Sequence, residues 1–128
     1  MKAYAAVGLA VLAGLGVGAI AVQGLHAEAK PPVYLIAEID VTDLDAYMKG
    51  FAPKAQASLQ AHGGRTLAAG EGVTTIEGAP PKRRVVVMVW DSLEQIEAWR
   101  NSPQYKEDRK IGDKYATFRI FAVEGLPQ

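Results

Sequence analysis

With 128 residues, 49% of them hydrophobic and 22% charged, the chain has material for one folded domain and a core of useful size. Its 14 basic and 14 acidic residues cancel to a formal charge of zero and are interspersed, which gives no support for nucleic-acid binding, since that usually shows a basic face. The lack of any cysteine excludes disulfides, thiolate catalysis and cysteine-ligated metal, and two histidines, His26 and His62, cannot build a multi-histidine metal centre in one chain.

Lys2 leads into an uncharged apolar stretch over residues 3–22, followed by small residues at Ala27 and Ala29 around Glu28. A basic start, an apolar stretch and a small-x-small site form the pattern of a secretory signal peptide over residues 1–29, cut after Ala29. That reading makes residues 30–128 a periplasmic domain. The stretch is also just long enough to span a bilayer. The alternative is therefore an uncleaved inner-membrane anchor facing the periplasm, the one case in which the protein meets a membrane. Gly14, Gly16 and Gly18 lack the preceding strand and the downstream acidic residue of a dinucleotide loop. They are read as part of the leader.

Lys30-Pro31-Pro32 is a stiff lead-in. Val33–Val41 then alternates as a strand, with Val33, Leu35, Ala37, Ile39 and Val41 on one face and Tyr34, Ile36, Glu38 and Asp40 on the other. Thr42, with Asp45 three residues on, marks a helix start. Leu44, Tyr47, Met48, Phe51, Ala52, Ala55 and Leu59 follow helical spacing and predict its buried stripe. Pro53 must kink or split that helix, and Gly63 in His62-Gly63-Gly64 ends it. Residues 65–69 and 73–76 read as one strand interrupted by a bend at Gly70-Glu71-Gly72. Arg84–Trp90 is a short, nearly unbroken β-branched run, the signature of a central strand. Its all-valine face (Val85, Val87, Val89) matches the small apolar face of the first strand. That match predicts Arg84, Met88 and Trp90 on the side of Tyr34, Glu38 and Asp40. Ser92 caps a second helix with Gln95 at the reciprocal position, and Leu93, Ile96 and Trp99 are expected to face inward. Pro103 restarts helix, with Tyr105 and Ile111 on its apolar side. Residues 117–123 form the last strand. The order is βαββαβ, an α+β ferredoxin-like antiparallel sheet with helices on one face. Ile36, Met88 and Trp90 are expected on the other face, and a second copy supplies their cover.

Several stretches together carry a resemblance to a known family. They are Asp40-Val41-Thr42-Asp43 with Tyr47, Ala61-His62-Gly63-Gly64-Arg65, Trp90-Asp91-Ser92, Ala98-Trp99-x-Asn101-Ser102-Pro103-Gln104-Tyr105 and Val123-Glu124-Gly125. Residues 33–125 resemble the small bacterial proteins grouped as domain of unknown function 1330, with Trp90 standing where that pattern has phenylalanine. The resemblance implies the dimeric α+β barrel form of the fold, and hence a homodimer. It implies no particular reaction and no cofactor.

Each residue that could bear chemistry has two readings. His62 is a helix cap favoured by the helix dipole, or a proton-transfer residue at a pocket mouth. Glu38 and Asp40 are ion-pair partners of Arg84 or Arg119, or an acid/base pair with Arg84 stabilising an anion. Tyr34, Tyr47, Trp90, Trp99 and Tyr105 are core and interface aromatics, or the wall of an apolar small-molecule pocket. Residues 106–110 read as a solvated helix face with internal charge pairing. No metal site is expected. Two functions fit. One is a non-catalytic periplasmic small-molecule-binding or accessory protein. The other is a cofactor-independent oxygenase or isomerase acting on a small aromatic or lactone-like substrate, which rests on analogy with enzymes of the dimeric barrel fold.

Overall fold

Four strands and four helices follow one another in the computed structural model, which describes residues 30–127; the leader expected over residues 1–29 lies outside them. They are β1 Val33–Val41, α1 Leu44–Gly50, α2 Ala52–Ala61, β2 Arg65–Gly70, β3 Arg84–Trp90, α3 Leu93–Asn101, α4 Pro103–Tyr115 and β4 Ala116–Glu124. The sheet order is β2-β3-β1-β4, antiparallel throughout. This is the ferredoxin-like arrangement that the element order predicts.

Register corrects the expected pairing of faces. Val33, Leu35, Ala37 and Ile39 stand opposite Trp90, Met88, Val86 and Arg84. Directly opposed residues of an antiparallel pair point to the same side. Arg84, Met88 and Trp90 therefore lie under the helices with the buried face of β1. Tyr34, Ile36 and Glu38 share the helix-free face with the three valines, 85, 87 and 89. The core joins that buried face to Tyr47, Phe51, Leu59, Ile96, Trp99 and Tyr105 from the helices.

The helix ends follow local chemistry. Asp43, not Thr42, caps α1: its carboxylate accepts from the Ala46 amide at 3.1 Å. Thr42 instead donates its hydroxyl and its amide to the Tyr115 carbonyl at the end of α4. Pro53 sits in the first turn of α2, so the predicted break falls between Gly50 and Ala52. The C-terminus of α2 closes with Gly63 at φ 96° and the Gly64 amide on the Leu59 carbonyl. Gly64 is also where the backbone meets the core: a β-carbon there would lie 2.6 Å from the Trp90 ring. Ser92 caps α3 as expected, its Oγ accepting from Gln95 N at 3.2 Å, but the Gln95 side chain reaches one residue further back than the reciprocal position requires, Oε1 accepting from Asp91 N at 3.3 Å. Ile96 and Trp99 face inward, whereas Leu93 and Leu44 are exposed.

Two further differences concern β2. It ends at Gly70, and residues 73–76 are not strand. Its irregularity is a register shift between Thr66 and Ala68, earlier than the predicted bend.

Candidate functional site

Between the helix-covered face of the sheet and the α1–α2 pair lies a cavity of about 320 Å³. Its floor comes from β1 and β3, including Leu35, Ala37, Val86 and Met88, and its roof from Phe51, Ala55 and Leu59. Tyr47, Trp99 and Tyr105 supply aromatic wall, and Phe118 comes from β4. Gln56, Thr66 and Arg84 are its polar groups besides the two tyrosines. This mixture, mostly apolar with a few placed polar atoms, is how proteins hold small organic molecules.

Arg84 is the charged group of the site. It opens β3 on the buried side, and Nη1 bonds Glu71 Oε1 at 3.2 Å. Its guanidinium carbon stands 5.7 Å from the Tyr47 ring centroid. Its Nε is buried and has no hydrogen-bond partner among the described residues. A buried charged donor left without an acceptor is costly, and an acceptor brought by a ligand would relieve that cost. Tyr47 is 3% exposed. Burial pushes its phenol above the ordinary value of 10.0, and the Arg84 cation opposes the shift only in part. The phenol therefore stays neutral and able to donate a hydrogen bond at working pH. The opposite wall is held by a relay: Trp99 Nε1 donates to Ser58 Oγ at 2.9 Å, and Ser58 Oγ donates to the Ala55 carbonyl at 2.9 Å. Trp99 stacks on Tyr105 with centroids 4.3 Å apart.

The sequence-derived site residues divide into two groups. Arg84, Tyr47, Trp99 and Tyr105 meet in the cavity. His62, Glu38, Asp40, Tyr34 and Trp90 do not line it. His62 is the C-cap of α2, its Nδ1 bonded to the Ser58 carbonyl at 2.8 Å. Glu38 is buried on the helix-free face, where Arg119 Nη1 and the Lys82 amide bond its two oxygens. Asp40 faces Lys82 at 3.7 Å. The two carboxylates are thus ion-paired, Glu38 through Arg119 and Asp40 through Lys82, and Arg84 pairs with Glu71 instead. Tyr34 lies on the helix-free face, opposite Val89 and Val123. Trp90 is packed beneath Gly64 against Trp99. Reading from sequence passed over Gln56, Thr66 and Phe118. Thr66 and Gln56 bond each other at 2.8 Å across β2 and α2, a contact no sequence spacing announces.

Fold and cavity together define a ferredoxin-like α+β domain with a small-molecule-sized pocket under its helices. Residues 32–126 match the family model described as "Domain of unknown function (DUF1330)", and the chain belongs to that family. Comparison with curated proteins finds no significant sequence match. Among solved structures, RPA0582, a protein of unknown function from Rhodopseudomonas palustris, is similar with TM-score 0.64 and 13% identity, covering 84% of this chain and 93% of its own. SnoaB from Streptomyces nogalater, described as a cofactor-independent oxygenase, has TM-score 0.57 and 12% identity over 77% of this chain and 96% of its own. A Bacteroides thetaiotaomicron protein of unknown function, described as a possible oxidoreductase, reaches TM-score 0.50 at 16% identity, over 75% and 99%. These likenesses establish the fold alone.

Proposed function

We propose that this protein binds a small, largely apolar and aromatic molecule in the cavity under α1 and α2, with one carbonyl or acidic oxygen of the ligand on Arg84. The buried, partnerless Arg84 Nε in an apolar cavity carries this reading. Tyr47 supplies a second donor for the same oxygen, and Trp99 and Tyr105 supply stacking surface. Among the described residues, no histidine and no carboxylate lines the cavity. A bound molecule there has no strong general base beside it, which favours capture over proton abstraction. The likeness in fold to SnoaB supports the enzymatic alternative, a cofactor-independent oxygenase or isomerase on a small aromatic or lactone-like substrate. Under it, Arg84 and Tyr47 would stabilise an oxyanion of the substrate.

We place this activity in a periplasmic homodimer, the leader read in residues 1–29 being the support for export. The helix-free sheet face presents Ile36, the three valines of β3, Phe121 and Val123, the last two 42% and 53% exposed. A second copy applying the same face covers both patches at once.

The test is titration of the protein with a panel of small aromatic ketones, lactones and carboxylates, followed by intrinsic tryptophan fluorescence. Saturable quenching is expected, with affinity falling about tenfold or more, about 1.4 kcal/mol, in Arg84→Met. Binding that is indifferent to Arg84→Met overturns the placement. Oxygen-dependent consumption of a bound compound would select the enzymatic alternative.

A further inference from the structure

Outside this cavity, the corner between α3 and α4 gathers three cations around one carboxylate. Arg100 stands at the end of α3 and Arg109 in the middle of α4, and both turn toward Tyr105, which is 4% exposed. Arg100 Nη1 and Arg109 Nη1 each donate to the Tyr105 hydroxyl oxygen at 3.4 Å. Lys106 and Asp113 complete a recess of about 320 Å³. Tyr105 thus presents its ring to the apolar cavity and its hydroxyl to this second, basic one.

Two guanidinium groups drawn onto one neutral oxygen repel each other, and a phenol brings no charge to offset this. Arg109 is balanced locally: its Nε donates to Asp113 Oδ1 at 2.8 Å, and its guanidinium carbon lies 3.8 Å from the Phe118 ring centroid. Burial disfavours its charge, but its hydrogen bonds to Asp113 and Tyr105 and the Asp113 charge outweigh that. Arg100 and Lys106 have no carboxylate partner among the described residues. A solvated helix face separates such charges into pairs along one helix, as Lys110 and Glu107 do at 2.9 Å. Here cations from two helices converge instead on one open surface recess, with one carboxylate against three of them.

We infer that this recess is an oxyanion site, taking a small carboxylate or phosphate group. Arg100 and Lys106 supply the free donors, and Arg109, fixed by Asp113 and Phe118, supplies the preset fork. The site stands apart from the proposed cavity ligand, because Arg100, Lys106 and Arg109 do not line that cavity.

The experiment is a thermal-shift and calorimetric titration of the protein with inorganic phosphate and with acetate, at constant ionic strength set by chloride. One of the two is expected to raise the melting temperature saturably beyond chloride, and the tighter of them names the headgroup. Arg100→Gln is expected to weaken that binding tenfold or more, with binding of aromatic ligands in the main cavity unchanged. Lys106→Gln, at an exposed side chain, is a second variant should Arg100→Gln not fold, and is expected to weaken the same binding several-fold. Failure of both oxyanions to saturate beyond chloride overturns the site. So does retention of wild-type affinity in a folded Arg100→Gln, or in Lys106→Gln where that variant alone folds.

Discussion

At the scale of single residues, the cavity is set by Tyr47 and Arg84, one neutral donor and one cation held together away from water. The raised pKa of Tyr47 gives a stability consequence with a definite sign. A phenol whose folded pKa lies above 10.0 stabilises the fold fully below that value, and the contribution is lost as pH rises through the folded pKa. Urea unfolding followed from about pH 8 to about pH 11 should therefore show stability falling more steeply in wild type than in Tyr47→Phe. Parallel curves would contradict the burial argument. Tyr47 was legible from helical spacing, since its neighbours Leu44, Met48 and Phe51 repeat at three and four residues. Arg84 was legible as a candidate but placed on the wrong side. Both faces of β3 are apolar, so period-2 alternation carries no sign there; only the register with β1 decides it. Glu38 and Asp40 alternated cleanly with Tyr34, but the reading set that face beside the ligand together with Arg84 and Trp90, whereas the cavity lies on the opposite side of the sheet.

At the scale of elements, the α3–α4 joint shapes two functional walls, because Trp99 leaves one helix and Tyr105 enters the next. Ser102 holds the joint: its hydroxyl donates to the Trp99 carbonyl at 2.7 Å and accepts from the Tyr105 amide at 3.2 Å. Ser102→Ala should cost about 1 kcal/mol in urea unfolding, the usual loss for an N-cap. A change within error would show that the joint is held by packing alone. The Asn-Ser-Pro-Gln-Tyr stretch announced this joint, since a cap and a first-turn proline are local chemistry. The second half of β2 misled for the opposite reason. Val73-Thr74-Thr75-Ile76 has strand composition, but Gly70 already pairs with Val85 near the start of β3. Residues beyond it would run past the end of β3 with nothing to bond. Pairing partners, not propensity, end that strand.

At the scale of the molecule, one face of the sheet is buried by helices, and the other carries, beside the Glu38–Arg119 pair, an apolar patch that no helix among the described residues covers. The homodimer inferred for that face makes its own prediction. Ile36→Lys puts a charge at the middle of the patch, where it faces solvent in a monomer and a partner in a dimer. Sedimentation velocity should show wild type as a dimer and Ile36→Lys as a folded monomer. A monomeric wild type would remove the barrel pairing and leave the cavity untouched, because its lining comes from one chain. The existence of two sheet faces, and which face of β1 the helices take, were readable from β1 alone, since Val33, Leu35, Ala37 and Ile39 are uniformly apolar and lie in the core. Which side β3 turns toward the helices was not, for the reason seen at Arg84.

The cavity under α1 and α2 as a ligand site is the central claim, and native mass spectrometry of the protein recovered from expressing cells tests it most directly. The comparison is wild type against Ala55→Trp, in which an indole grown from α2 takes up space in the cavity that Ala55 lines. The account predicts a non-covalent small-molecule adduct, acquired in the cell or from an aromatic panel, on wild type and none on folded Ala55→Trp. An adduct of the same mass retained by Ala55→Trp would place the ligand elsewhere and contradict the account.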